Sequence, residues 1–194
     1  QLGKKVAIVE RESLGGICLN WGCIPTKALL KSAQVYEYAK HAATYGINVE
    51  NPTPNFGGVI TRSRGVADKM SKGIQFLMKK NKIDVIMGTG KLIAATKMEV
   101  TAADGTKQIV EAKNIIIATG GRARALPTMP IDGKKIVGYR EAMVLPEQPR
   151  SMIVCGSGAI GSEFAYFYNS MGTKVTMVEF MPRLVPVEDE DISK

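Results

Sequence analysis

The sequence lacks any apolar run close to the roughly 18 residues that a helix needs to cross a bilayer. It also lacks a recognisable signal peptide, because the chain enters the apolar run Val6-Ala7-Ile8-Val9 almost at once. Three cysteines and one histidine are present, and an odd cysteine count argues against a secreted disulfide scaffold. These absences favour a soluble globular protein. Whether a targeting segment precedes these residues stays open, because the chain starts abruptly.

Acidic residues are scarcer than basic ones, and the formal net charge is +8 at pH 7. A basic balance can indicate nucleic-acid binding. However, no nucleic-acid motif is recognisable, and no basic stripe alternates with aromatic residues. We therefore interpret the lysines of the predicted helical segments as solvated helix faces; examples are Lys69, Lys72, Lys79, Lys80 and Lys82.

Local patterns in residues 1–111 predict alternating strands and helices. Apolar runs predict strands, and apolar residues at helical spacing predict helices. The Asp104-Gly105 pair between two short runs is a hairpin signal. The predicted elements are a strand at 4–10, a glycine-rich turn at 13–22, a helix at 26–44, a loop at 51–55, a helix at 56–80, a strand at 83–87 and a hairpin of 98–101 with 108–111.

The remaining residues predict a second stretch of α/β structure. The continuous apolar run at 115–117 is typical of a strand buried on both faces. Residues 122–149 contain four prolines and are predicted to form a connection. The next elements are a strand at 151–155, a glycine turn, a helix through 163–166 and a strand at 174–179. Strand, helix and strand in this order form a βαβ unit, which predicts a parallel sheet.

Two cysteines, Cys18 and Cys23, have four residues between them and lie near a predicted helix start. On an ideal helix this spacing separates the Cα atoms by roughly 8.6 Å, whereas a disulfide tolerates only about 7 Å. A bonded pair would therefore require a departure from regular helix, and a strained bridge is easier to reduce. A helix N-terminus also favours a reactive thiolate.

Spacing alone leaves other interpretations of this pair open. The cysteines could be buried free thiols, or half of a zinc site, although zinc sites use shorter spacing and need further ligands. The lone histidine, His41, lies in a helix rich in alanine and lysine, and we predict it to be at or near the surface. Cys155 follows an apolar strand and is predicted to be a small buried residue. We predict no metal site.

The frame around the cysteines resembles a known active-site signature. Residues 15–27 are similar to the active-site signature of the flavoprotein disulfide reductases, in the class I pyridine nucleotide-disulfide oxidoreductase family. They read Gly15-Gly16-Ile17-Cys18-Leu19-Asn20-Trp21-Gly22-Cys23-Ile24-Pro25-Thr26-Lys27. The residues between and after the cysteines are most similar to its dihydrolipoamide dehydrogenase branch. The resemblance extends from Val6 to Val187. It implies Rossmann-like parallel sheets that bind FAD and NAD(P), with a small antiparallel β meander, in an incomplete fragment.

The resemblance implies a role for each residue of a catalytic set. Cys23 would face the flavin and form the charge-transfer thiolate, while Cys18 would exchange with the dithiol substrate. Lys27 would lie near flavin N5, and Glu163 would be its acidic partner. The two charged groups are therefore predicted to lie within about 8 Å of each other, the range over which ion pairing is felt.

The resemblance also assigns the FAD contacts. Glu10 ends the first strand, and it would accept the adenosine ribose hydroxyls. The backbone of Gly15 and Gly16 could approach the pyrophosphate closely, because glycine has no Cβ. The remaining FAD contacts would come from Gly90 at the adenine and from the segment Ala118, Thr119 and Gly120.

A second nucleotide motif follows the strand at 151–155. Gly156, Gly158 and Gly161 form a G-x-G-x-x-G that opens a helix, and Glu179 lies eighteen residues beyond the last glycine. A helix N-terminus can bind a pyrophosphate. An acid at the end of the next strand accepts ribose hydroxyls and repels a 2′-phosphate, so the sequence favours NAD over NADP.

The implied protein is larger than this sequence. We predict an FAD-binding domain at 1–147, without its first strand and glycine loop, and the start of an NAD-binding domain at 148–194. The implied partners are lipoyl domains of 2-oxo acid dehydrogenase or glycine cleavage complexes, and the full-length protein is expected to be a homodimer. The expected location is a bacterial cytoplasm or a mitochondrial matrix. The chain alone is expected to bind FAD poorly and to lack turnover. Two alternatives stay open: an NADPH-dependent mercuric or glutathione reductase, and a non-catalytic binding fragment.

Overall fold

A computed structural model describes residues 2–194. The described chain forms two compact units, one of residues 2–20 with Asp68–Arg122 and the other of Trp21–Ala67 with Ala123–Lys194. The predicted boundary at residues 147 and 148 concerns two nucleotide-binding domains and stays a prediction. The α/β fold class is confirmed, with two parallel strand pairs and one antiparallel sheet.

The first unit contains a parallel pair and a meander. Strand β1 (Ala7–Glu10) pairs in parallel with β2 (Asp84–Met87). Strands β3 (Thr89–Ala94), β4 (Lys97–Thr101) and β5 (Lys107–Glu111) form the antiparallel meander. The predicted hairpin is confirmed, and the Asp104 carboxylate accepts a 2.9 Å hydrogen bond from Thr106 N–H inside its turn.

Two predictions in this unit were wrong. Residues 115–117 form no strand, and Ile116 and Ile117 are 87% and 70% exposed. An extended apolar run becomes a strand only when another backbone pairs with it, and no strand of the described chain does so. The predicted turn at 13–22 is also shorter, because helix α1 (Gly16–Trp21) contains Cys18. The positive φ angles of Gly15 and Gly16, +106° and +71°, complete the bend before the helix.

The long helices follow their predicted positions. Helix α2 (Cys23–Lys40) begins three residues before the predicted 26–44 and ends at Lys40. A separate 3-10 turn, Ala42–Tyr45, follows it. Helix α3 (Phe56–Lys80) has the predicted bounds. Asn55 accepts a 2.9 Å hydrogen bond from Gly58 N–H, which satisfies one of the free amides at the start of α3. A short helix α4 (Tyr139–Ala142) lies in the predicted connection.

The predicted βαβ unit is confirmed in the second unit. Strand β6 (Ser151–Cys155) pairs in parallel with β7 (Lys174–Val178), and helix α5 (Ala159–Met171) connects them. A last short helix, α6, covers Glu190–Ser193. Cys155, predicted to be buried, is exposed at the end of β6. Alternate residues of this strand are open to solvent, since its outer face is not covered by another described element.

Helices α2 and α5 pack together in the core of the second unit. Leu29, Phe167 and Tyr168 are fully buried there, and the rings of Phe167 and Tyr168 meet edge to face at 5.0 Å between centroids. The Tyr168 hydroxyl donates to the Ala142 carbonyl, and burial raises the pKa of this phenol well above its usual value. This packing places the first turns of α2 beside α5.

The exposure of the lysines agrees with their interpretation as solvated helix faces. The five lysines named above are all exposed, and His41 is exposed as predicted. Of the helices in residues 2–194, none combines the length and apolar character needed to span a membrane.

Candidate active site and nucleotide sites

Cys18 and Cys23 are joined in a disulfide, while Cys155 is a free thiol. The helical path is interrupted between them at Gly22, whose φ of −136° and ψ of −122° are not helical. Regular hydrogen bonding restarts at once, since Thr26 N–H donates to the Gly22 carbonyl at 3.1 Å. The predicted departure from regular helix is confirmed, and its location is the glycine directly before the second cysteine.

Trp21, which lies between the two cysteines in sequence, is fixed by two cations. The Arg64 guanidinium lies 4.1 Å from the centroid of its ring and the Arg140 guanidinium lies 5.1 Å from it. Trp21 is half-buried and packs against the core of the second unit. These contacts anchor the segment that carries the disulfide. Sequence reasoning missed them, because the arginines come from distant segments with no motif.

Asn20 fixes the turn that precedes the first cysteine. Its buried side-chain amide donates to the carbonyls of Leu14 and Gly16 at 3.0 and 2.9 Å. A buried amide with its donors satisfied stabilises one backbone conformation. Asn20 was part of the recognised motif, but no role was assigned to it from the sequence.

Lys27 and Glu163 form an ion pair. Lys27 lies in the second turn of α2 and Glu163 lies on α5, and the packing of Leu29 against Phe164 and Phe167 brings these turns together. The predicted contact is confirmed, whereas the catalytic roles of both residues stay predictions. The side chains are 66% and 28% exposed, so the pair contributes little to stability.

The glycine turn after β6 has the geometry of a dinucleotide-binding turn. Gly156 has a φ of +100°, and a Cβ on Gly161 would lie 2.1 Å from the Gly156 carbonyl oxygen. Gly161 therefore permits close contact between α5 and the turn. A Cβ on Gly158 would meet nothing within 4 Å. The N-terminus of α5 thus faces open space that suits a pyrophosphate.

Glu179 directly follows β7 and is kept ionised. Its carboxylate accepts hydrogen bonds from Ser157 N–H at 2.8 Å, Ser157 Oγ at 2.7 Å and Met181 N–H at 2.9 Å. These donors, led by the backbone N–H of Met181, lower the pKa of Glu179 to about 2. The charge and position match those expected of a ribose-binding acid.

Apart from Lys27, which lies in the second unit, the residues predicted to bind FAD lie in the first unit. Glu10 ends β1, and its carboxylate accepts a 2.8 Å hydrogen bond from Glu12 N–H. The space around the missing Cβ of Gly16 is open, which fits a close approach of phosphate to the backbone. At Gly90 a Cβ would lie 2.6 Å from Met98 Sδ, so a larger residue there would require the Met98 side chain to move. Residues 118–120 are exposed and have no regular structure.

The whole chain, residues 1–194, matches the family model described as pyridine nucleotide-disulphide oxidoreductase. The chain belongs to the pyridine nucleotide-disulphide oxidoreductases. No group of three or more His, Cys, Asp or Glu side chains within residues 2–194 is arranged to bind a metal ion.

Several relatives in this family are similar over the full chain. A dihydrolipoyl dehydrogenase of Chlorobaculum parvum is 50% identical over 99% of this chain and 41% of its own length. One of Zymomonas mobilis is 49% identical over 100% of this chain and 41% of its own length. The crystal structure of LpdA from Mycobacterium tuberculosis has a TM-score of 0.90 at 28% identity, over 99% of this chain and 42% of that chain. The chain thus spans about two-fifths of the length of these relatives.

Proposed function

We propose that this chain supplies the redox disulfide and part of both nucleotide sites of a dihydrolipoamide dehydrogenase. The observation that carries the proposal is the Cys18–Cys23 disulfide, formed across the backbone break at Gly22. The identities of about 50% to dihydrolipoyl dehydrogenases support this assignment within the pyridine nucleotide-disulphide oxidoreductases.

In the proposed reaction, dihydrolipoamide and NAD⁺ give lipoamide, NADH and a proton. A substrate thiolate attacks Cys18 Sγ, the Cys18–Cys23 bond breaks, and Cys23 leaves as a thiolate. The second substrate thiol then displaces Cys18, which completes the lipoamide disulfide and leaves Cys18 and Cys23 reduced. FAD, when bound, accepts the two electrons from this dithiol and passes them to NAD⁺ as a hydride.

Other residues of this chain would orient the reacting groups and bind the two cofactors. Lys27 would place a positive charge beside the reacting groups, and Glu163 would fix the direction of its side chain. Glu10, Gly15 and Gly16 would bind the adenosine and pyrophosphate of FAD. The other proposed contacts to nucleotides come from Gly90, Ala118, Thr119, Gly120, Gly156, Gly158, Gly161 and Glu179.

The nicotinamide cofactor of this proposal is NAD rather than NADP. Glu179 is ionised at neutral pH, and a carboxylate repels a 2′-phosphate. Arg183, the nearest arginine in sequence, pairs with Glu190 at 3.1 Å and donates to two carbonyls of its own loop. Its guanidinium is therefore engaged within the protein, which argues against an NADPH-dependent reductase.

The proposed partners are lipoyl domains of 2-oxo acid dehydrogenase or glycine cleavage complexes. The proposed enzyme is a homodimer, and its proposed location is the bacterial cytoplasm or the mitochondrial matrix. The test is an assay of FAD-loaded protein containing this chain, with dihydrolipoamide and either NAD⁺ or NADP⁺. We expect NADH to form at one NADH for each dithiol oxidised, and little NADPH. Reduction of NADP⁺ at an equal rate, or no oxidation of dihydrolipoamide, would contradict the proposal.

Two glycines of the α5 turn are expected to respond differently to alanine. Gly161→Ala puts a Cβ against the Gly156 carbonyl, and we expect a loss of about 3 kcal/mol or more in the free energy of unfolding. Gly158→Ala has room and an ordinary φ of −66°, and should cost less than about 1 kcal/mol. However, its methyl group occupies the space assigned to the pyrophosphate, so the Kd for NAD⁺ should rise about tenfold.

Urea unfolding and titration with NAD⁺ together check these expectations. Equal losses of stability in the two variants would contradict the packing argument. Unchanged NAD⁺ binding by Gly158→Ala would contradict the assignment of the phosphate site.

The Lys27–Glu163 pair is expected to matter more for activity than for stability. Lys27→Met and Glu163→Gln should each change the free energy of unfolding by less than about 1 kcal/mol, because both groups reach solvent. Each should lower kcat at least about tenfold, and the double variant should be little worse than either one, because the groups act as a unit. Steady-state kinetics on the three variants measures this coupling.

The Lys40–Glu37 pair provides a matched control, because it is an exposed ion pair of 2.7 Å on the same helix. Lys40→Met and Glu37→Gln should leave kcat unchanged. A similar fall in kcat for both pairs would show that loss of a surface charge, rather than the position of Lys27, explains the effect.

A further inference from the structure

Ser157 is the second residue of the glycine turn and is completely buried. It lies between two glycines, at a position that the dinucleotide-binding motif leaves unspecified. The sequence motif therefore assigns no role to its hydroxyl group. A buried hydroxyl is stable only when it is hydrogen-bonded, so its partners indicate what it does.

The Ser157 hydroxyl connects Glu179 with the loop that follows β7. It donates to Glu179 Oε2 at 2.7 Å and accepts a 3.0 Å hydrogen bond from Val185 N–H. Ser157 N–H donates to the same carboxylate oxygen at 2.8 Å. Val185 has a φ of +41°, a conformation that L-residues rarely adopt. The loop is thus folded back onto the turn, where Val185 N–H contacts the Ser157 hydroxyl.

This arrangement leaves one position on Glu179 for a ligand. A carboxylate has about four lone-pair positions. Two on Oε2 are taken by Ser157, and one on Oε1 is taken by Met181 N–H at 2.9 Å. The remaining position can accept a hydrogen bond from a ribose hydroxyl. A 2′-phosphate has no such donor at neutral pH, and it carries charge of the same sign.

We propose that Ser157 is a positioning residue that fixes the Glu179 carboxylate and thereby sets the preference for a ribose 2′-hydroxyl over a 2′-phosphate. A carboxylate without this restraint could rotate away from a 2′-phosphate and reduce the repulsion. The proposal rests on the proposed function only in that this turn binds a nicotinamide dinucleotide. It assigns the selectivity to a residue outside the glycines and the acid of the motif.

The test compares the binding of two fragments of the cofactor, ADP-ribose and its 2′-phosphate, to the FAD-loaded enzyme by calorimetry. Neither fragment contains nicotinamide, so the readout is independent of turnover. In Ser157→Ala we expect the ratio of the two Kd values to move toward unity by about tenfold, the effect of one hydrogen bond to a charged group. Ser157→Thr keeps the hydroxyl and should restore at least part of the ratio.

Ser162→Ala is the matched control, because the Ser162 hydroxyl donates to the Ser157 carbonyl at 3.0 Å and makes no contact with Glu179. It should leave the ratio unchanged. An unchanged ratio in Ser157→Ala, or an equal change in Ser162→Ala, would overturn the proposal. If Ser157→Ala fails to fold, Ser157→Thr is compared with Ser157→Cys, because a thiol is a weak hydrogen-bond donor. Equal ratios of the two Kd values in these two variants would also overturn the proposal.

The same titrations separate this proposal from the proposed function. Wild-type enzyme that binds ADP-ribose selectively but does not oxidise dihydrolipoamide would contradict the function and leave the role of Ser157 supported. Enzyme that oxidises dihydrolipoamide with NAD⁺, but whose selectivity does not depend on Ser157, would contradict only the role of Ser157.

Discussion

Replacing Cys23 with serine in the FAD-loaded enzyme is expected to lower kcat for dihydrolipoamide oxidation by at least about 10⁴-fold, as removal of a covalent catalytic group does elsewhere. A serine hydroxyl cannot form the disulfide that stores the two electrons. Cys18→Ser should be equally inactive with the dithiol, because it removes the sulfur that the substrate attacks. Steady-state formation of NADH measures both effects.

Cys155→Ser is the control for these variants, since Cys155 is a free and exposed thiol. Its kcat should stay within about twofold of wild type, as expected of a surface substitution. Circular dichroism should show that the Cys18 and Cys23 variants remain folded. Substantial dihydrolipoamide oxidation by folded Cys23→Ser would contradict the proposed reaction.

Phe167→Ala is expected to cause the largest loss of stability, about 3–5 kcal/mol in the free energy of unfolding. Phe167 is completely buried and contacts Phe56 and Tyr168 in the core of the second unit. Truncation removes apolar contacts and leaves a cavity that its aromatic neighbours can fill only in part. Since the stability of a domain is about 5–15 kcal/mol, much of the variant should unfold on mild heating.

Phe180→Ala is the matched control, because Phe180 is 98% exposed. It should change the free energy of unfolding by less than about 0.5 kcal/mol. Urea unfolding followed by circular dichroism compares the two variants. A loss below about 1 kcal/mol for Phe167→Ala would show that the packing of α2 on α5 is not the main support of this unit.

Elements with a repeating local pattern could be predicted from the sequence. Helix α3 has the bounds that its apolar spacing predicts, and strands β6 and β7 on either side of α5 lie where short apolar runs predict them. A departure from regular helix between bonded cysteines could be predicted as well, since a disulfide at this spacing cannot form on a regular helix. Its location at Gly22 could not. The pairing of Lys27 with Glu163 was predicted only through the resemblance to the family.

Features that depend on neighbours distant in sequence could not be predicted. Residues 115–117 have the composition of a strand, but a strand also requires a paired backbone, which composition does not specify. Exposure of Cys155 depends on which face of β6 other elements cover. The cations on Trp21 and the partners of Ser157 come from segments brought together only by the fold.

The proposed function requires that the Cys18–Cys23 disulfide exchange electrons with a bound flavin. The most direct measurement is the absorbance spectrum of the FAD-loaded enzyme during anaerobic titration with dihydrolipoamide. We predict a new long-wavelength band after two electrons per flavin, from a Cys23 thiolate in contact with oxidised FAD. Cys23→Ser treated in the same way should lack this band, because it has no sulfur at this position. Bleaching of the flavin without this band in the wild type, or an unchanged spectrum, would contradict the claim.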